Sequence, residues 1–337
     1  MSLLASVDRI HKSLTKLNST GYQLDLNLGT DRWIVFSDHH RGIGDGADDF
    51  APCKQNYLTA LSHYLEHDYG LIILGDAEEF WENTLKSVIS KYKDVLEVEN
   101  KFHQRNKLIK VWGNHDDAWN HLNKVSQYLS PFFKNIATHE AIRFNVKDDN
   151  KDLIGNILLV HGHQGSSTSE QFAGISKWFV RVIWRNIQRW FKIPLSTPSK
   201  SKMLKDKHDI AMHTWAKRIN KQIVICGHTH QPVFLSKNHL DVLVRQLKDL
   251  DHNDVSNVRE IKRIKEKIAH LRTKTTAIGT LVTDDKPCYF NSGCCSFSDG
   301  DITGLELAES EIRLIKWSDE KRSLIDSEKI NDIYAVL

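Results

Sequence analysis

The 337 residues are 40% hydrophobic and 26% charged with a net charge of +3, enough chain for a large core and too little excess charge to indicate a nucleic-acid partner. Five cysteines without disulfide or zinc-knuckle spacing point to a reducing, cytoplasmic setting. The opening MSLLASVDRIHKSL turns polar too early for a secretory leader, and no apolar run approaches the ~18 residues that span a bilayer.

In chain order, short runs rich in Val, Ile and Leu each stop at a polar cluster. Ile34-Val35-Phe36 meets Ser37-Asp38-His39-His40, Leu71–Leu74 meets Gly75-Asp76, and Leu108–Trp112 meets Gly113-Asn114-His115-Asp116. Ile157–Val160 then meets His161-Gly162-His163, and Ile223–Cys226 meets Gly227-His228-Thr229-His230. Such runs predict strands buried on both faces. Helical spacing over 54–67 and 117–129 fits strand–helix–strand units. Near the C-terminus, Leu305–Leu307 and Ile312–Ile315 predict a hairpin closing a second sheet. The whole chain is expected to form one α/β domain, a four-layer α/β/β/α sandwich.

Two helical insertions are expected to interrupt this core. In residues 166–215, Lys177, Arg181, Arg185 and Arg189 recur every four residues as a basic stripe, with Trp178, Phe179, Val182, Ile183, Ile187 and Trp190 around the other face. Residues 238–276 are highly charged, with Ile261, Ile264, Ile268 and Leu271 at helical spacing, and predict a solvated arm or an oligomer contact.

Ligands of parallel sheets bind beyond the carboxyl ends of the strands. Good turn formers would account for one or two polar clusters there, but not for an Asp, Asn or His at every end. Together the clusters offer nitrogen and oxygen donors and no thiolate, a set suited to Mn, Fe, Zn or Co and large enough for two ions. Two such ions ~3.5–4 Å apart can clamp the attacking and leaving oxygens of a phosphoryl displacement.

Asp38-x-His40, Gly75-Asp76-x-x-Glu79, Gly113-Asn114-His115-Asp116, His161-Gly162-His163 and Gly227-His228-Thr229-His230 resemble the five ordered motifs of the calcineurin-like metallophosphoesterases. The resemblance implies two divalent ions, with manganese the first choice and iron or zinc as alternatives. Asp38, His40, Asp76 and His230 would hold one; Asp76 would bridge to the other, held also by Asn114, His161 and His228. His161 is preferred to His163 because it lies nearest its strand end, and His39 should face away as a structural residue.

On this reading a hydroxide bridging the ions attacks phosphorus in line, and His115 protonates the leaving oxygen. Glu79, with Asp116 as the fallback, would hold His115, unless these two acids merely cap helices. Arg41 could reach a substrate phosphate, as could Arg181 and Arg185, or Arg41 could form a plain surface salt bridge.

The Gly75–Trp81 segment and the basic insert also resemble the UDP-diacylglucosamine pyrophosphohydrolases. That implies a diphosphate substrate and a lid resting at the inner face of the membrane through residues 175–192. The third-place His163 and the 238–276 arm depart from that subgroup. A phosphomonoesterase of the serine/threonine protein phosphatase type and a non-catalytic scaffold are the alternatives; the first needs more arginines and the second would have lost ligands.

Overall fold

The computed structural model describes residues 3–165, 208–238 and 286–337, with isolated positions between 247 and 265. The basic stripe, with Arg181 and Arg185, lies outside the described residues, as does almost all of the 238–276 arm.

Two seven-stranded sheets pack face to face. In the first, β2 (Trp33–Phe36), β3 (Gly70–Leu74) and β4 (Leu108–Val111) run parallel, with β5 (Thr138–His139) beside β4. Its other half is the antiparallel meander β12 (Ile302–Ala308), β13 (Glu311–Ser318) and β14 (Lys321–Lys329), joined to β2 through β12. The second sheet contains β1 (Tyr22–Asn27), β6 (Ala141–Lys147), β7 (Leu153–Val160), β8 (Gln222–Cys226), β11 (Tyr289–Asn291), β9 (Val233–Phe234) and β10 (Lys237–Asn238), in that order. The predicted C-terminal hairpin therefore exists but extends the first sheet. The C-terminal strand that serves the second sheet is β11, which pairs parallel to β8.

Successive side chains along each parallel strand point to opposite faces and both faces are buried, which is why the runs are apolar throughout. Val35, Ile72 and Ile109 stand side by side and point between the sheets, meeting Ile157, Leu159, Ile223 and Ile225. Ile34, Phe36, Leu71 and Ile73 point outward under α2 (Lys54–Glu66), α3 (Leu85–Lys91) and α4 (Lys93–Gln104). Helix α2 buries Tyr57, Ala60, Leu61 and Tyr64, one stripe at helical spacing. On the far side α1 (Leu3–Thr20) and the helical residues 208–216 cover the second sheet through Leu14, Leu17, Met212 and Trp215. This is the expected four-layer α/β/β/α order.

The helix expected over 117–129 is instead a 3-10 turn, a short α turn and a π turn, Val125–Leu129. Each fully buried Leu, Ile or Val stabilises by about 1.5–3 kcal/mol, so the apolar layer between the sheets holds the carboxyl ends of β2, β3 and β4 rigidly opposite those of β7 and β8.

Candidate metal centre

The chain leaves β2, β3 and β8 in an unusual conformation. Asp38, His40, Asp76, His228 and His230 all have φ between 51° and 68°, the left-handed region that costs a non-glycine residue of order 1–3 kcal/mol. Cross-loop hydrogen bonds hold them there. The amides of Asp38 and His40 donate to the carbonyls of Gly75 and Asp76 at 3.1 and 3.0 Å, and the amide of Arg41 donates to the Ala77 carbonyl at 3.0 Å. Glu79 then donates its amide back to Arg41 at 3.0 Å. The second sheet is joined in by the Gly227 amide, 3.0 Å from the His161 carbonyl, and by the His228 amide, 2.9 Å from Asp38 Oδ2.

The turns bring the expected ligands together. Donor atoms of Asp38, His40 and His230 lie within 4.8 Å of one another, as do those of Asp76, His161 and His228. His230 Nε2 is 3.2 Å from Asp38 Oδ1, and His161 Nε2 is 3.0 Å from Asp76 Oδ2. Asp38 Oδ1, Asn114 Oδ1 and His161 Nε2 are buried with no hydrogen bond aligned on them, although the opposite end of two of these groups is firmly tied. Ser37 and the His228 amide donate to Asp38 Oδ2 at 2.5 and 2.9 Å, and His161 Nδ1 donates to the Leu74 carbonyl at 3.0 Å. One face of each group is fixed so that the other aims into the site, which is how a metal ligand is oriented.

The electrostatics agree with a missing positive charge. Burial alone would discharge the imidazoles, but Glu79, Asp76 and Asp38 pull His40 up to about 10. Asp76 and Asp38 overcome burial in the same way and raise His161 to about 9. The carboxylates in turn are held down, Asp76 well below its usual range despite burial. His228 goes the other way, held well below its usual value by burial and by the neighbouring imidazoles, so the set of two carboxylates, one amide oxygen and four imidazoles includes a neutral nitrogen ready for a divalent cation.

His115 Nδ1 donates to Glu79 Oε2 at 2.5 Å, while Trp81 stacks on its ring at 4.1 Å and 19°. Burial would raise the Glu79 carboxyl, but His115 and His40 bring it down to about 2. Glu79 also accepts from His40 Nδ1 at 3.2 Å, so one acid orients both imidazoles.

Asp116 does not share this role. Its carboxylate accepts the amides of Gly113 at 2.6 Å, Ala77 at 2.8 Å and Asp76 at 3.3 Å, bracing the β3 and β4 loops from behind. No side-chain cap bond from it starts the following turn.

Arg41 is also corrected. It is fully buried and pairs with Glu99 and with Glu78 at 3.4 Å, under the ring of Tyr57, so it cannot extend to a substrate phosphate. Lys110 Nζ and Trp119 Nε1 complete the network on Glu78 at 3.0 and 2.6 Å. A lysine inside the apolar strand Leu108–Val111 was the sequence signal for buried acids. Glu99 gave none, because its partners are remote in sequence.

His39 packs edge-on against Phe50 and Tyr57, as a structural residue. His163 sits beside Trp112 rather than between Asp76 and His228. Ser37, Ser292 and Asn291 were unforeseen. Ser292 bonds Ser37 at 2.8 Å, and Asn291 holds the Gly227 carbonyl at 2.7 Å.

Comparison with known proteins follows this geometry. No curated protein matches the chain. Solved structures similar to it include a dimetal phosphatase from Danio rerio, 12% identical, TM-score 0.38, covering 88% of this chain and 99% of that one. Another is the cold-active protein-tyrosine phosphatase of a psychrophilic Shewanella species, 13% identical, TM-score 0.34, covering 90% of this chain and 82% of that one. Residues 32–232, more than half of the sequence and all five polar strand ends, match the model of the calcineurin-like phosphoesterases. The chain belongs to the calcineurin-like phosphoesterase family, metal-dependent hydrolases of phosphoester bonds.

Proposed function

We propose that this phosphoesterase cleaves a phosphodiester or diphosphate bond. Asp38, His40, Asp76 and His230 would hold one divalent cation, and Asp76, Asn114, His161 and His228 a second. The observation carrying the assignment is that these side chains converge at one edge, where Asp38 Oδ1, Asn114 Oδ1 and His161 Nε2 are buried with no hydrogen bond aligned on them. Cations bound there, manganese first among those suited to mixed nitrogen and oxygen donors, supply Lewis acidity and lower the pKa of a water.

The protein's own part is proton delivery and positioning. His115 gives a proton from Nε2 to the leaving oxygen, since Nδ1 is taken by Glu79. Asp116 keeps the loops of Asp76 and Asn114 together. The diester or diphosphate is preferred to a monoester because a dianionic phosphate needs arginines. With Arg41 turned inward, none of the described residues supplies one at the site.

Within this reading the Gly75–Trp81 segment and the basic stripe favour a nucleotide-linked lipid diphosphate, met at the membrane face through residues 175–192, with both insertions carried on a single domain. No described helix is long and apolar enough to cross a membrane.

Rates with bis-p-nitrophenyl phosphate and p-nitrophenyl phosphate, measured with added Mn²⁺, test the first part. Preference for the monoester overturns it. Phosphorus NMR with UDP-diacylglucosamine tests the second: UMP and lipid phosphate are expected, and an unchanged spectrum removes the lipid diphosphate.

A further inference from the structure

We infer that the cavity beside His115 is the subsite for the leaving alcohol, and that this alcohol is one uncharged, hydroxylated ring without a phosphate of its own. The inference rests on the proposed phosphoesterase function, selects its phosphodiester half and sets aside the lipid diphosphate that the sequence segments favour.

The cavity measures about 270 Å³, and Trp81, Trp112, Asn114, Asp117, Glu140 and Gln164 contribute to its wall. Two of these join it to the reacting centre. Asn114 is one of the convergent metal-ligand candidates. Trp81 stacks on His115 and donates its indole N–H to the Asn114 carbonyl at 2.7 Å. An oxygen that takes its proton from His115 Nε2 therefore leaves with this cavity beside it.

Size comes next. The volume is just below the about 300 Å³ at which small-ligand pockets begin. One ring fits, whereas a pair of acyl chains does not.

The chemistry of the wall decides the rest. Two indoles offer flat faces for a ring. The carboxylates of Asp117 and Glu140 offer acceptors for hydroxyl groups, and Gln164 Nε2, buried with no hydrogen bond of its own, offers a donor. Among the described residues no lysine or arginine lines the cavity; Lys16 is near enough to act on Glu140 but is not part of the described wall. A second phosphate would face two carboxylates, a repulsive element against diphosphates.

In the step itself the bond between phosphorus and the ring oxygen breaks. Water supplies the oxygen that replaces it on phosphorus, and the departing oxygen takes the His115 proton, which water restores.

The test uses metal-free protein, so that binding is read apart from turnover. Uridine, methyl glucoside and pyrophosphate are titrated separately and followed by tryptophan fluorescence and saturation-transfer NMR. At least one ring should bind saturably, uridine alone identifying a nucleoside and methyl glucoside alone a sugar. Trp112→Ala should weaken that binding about tenfold, the loss of one stacking partner. Trp112 is nearly buried, so the exposed rim variant Glu140→Gln, which should fold normally and also bind more weakly, guards against a folding defect.

Binding of neither ring, equal binding by both variants, or displacement of the ring by pyrophosphate overturns the inference. If a ring binds as expected but its methyl phosphodiester is not hydrolysed by Mn²⁺-loaded enzyme, the proposed function fails while the subsite stands.

Discussion

Asp38, Asn114 and His161 each carry a buried atom with nothing aligned on it, a state that costs stability unless a partner completes it. Asp76 stands between the two groups of donors, its Oδ2 3.0 Å from His161 Nε2 and 3.9 Å from His40 Nε2, while its Oδ1 accepts the His115 amide at 2.8 Å. Asp76→Ala should therefore lose bound metal, as counted by plasma mass spectrometry after gel filtration with Mn²⁺. His115→Ala should keep its metal while kcat falls by ~10²–10⁴. An unchanged rate in a metal-loaded His115 variant would remove it as the proton donor. Glu79 was legible as the partner of His115 through the resemblance of its motif to the family's; that it also orients His40 was not, because that contact depends on two loops meeting in space.

At the level of elements, the loops after β2 and β3 behave as one unit, laced by main-chain hydrogen bonds and locked from beneath by buried charges. Arg41, Glu78, Glu99, Lys110 and Tyr57 come from two loops, a helix, a strand and another helix. Arg41→Met leaves Glu99 buried without its cation and should cost about 3–5 kcal/mol of stability in urea unfolding; a midpoint equal to wild type would show the network to be dispensable. Glycines at the strand ends serve close approach. A Cβ on Gly113 would lie 2.2 Å from Asp76 Oδ1, and one on Gly227 2.4 Å from Asp38 Oδ2. Gly113→Ala should thus weaken metal binding in calorimetric titration while retaining most helical signal in circular dichroism.

For the whole molecule, the site is a seam between two sheets, with Asp38, His40, Asp76 and Asn114 from one and His161, His228 and His230 from the other. A cation bound across that seam ties the layers together, so folding and metal binding should be linked. Mn²⁺ at ~100 times its dissociation constant should stabilise the protein by about 2.7 kcal/mol. Thermal melts with Mn²⁺ and with chelator measure this, and coincident curves would show that the ligands do not span the two sheets in solution. The C-terminal hairpin illustrates why the division into sheets was not readable beforehand. The alternating pattern of β12 and β13 defines two antiparallel strands, but which sheet edge they join depends on the outer face of β2.

By itself the sequence determined the parallel strands, the class of fold and the candidate donor residues. Continuous apolar runs ending in Asp, Asn and His carry that information locally, in composition and in period. Only the tertiary structure decided the destinations of Arg41 and Asp116, since both sit in motif stretches where exposure and burial look alike until Glu99 or the Gly113 amide is brought opposite. It also decided the left-handed turns, the shared acid and the cavity by Trp81. Each arises from contacts between segments far apart in the chain, and such contacts leave no periodic trace in the segments that make them.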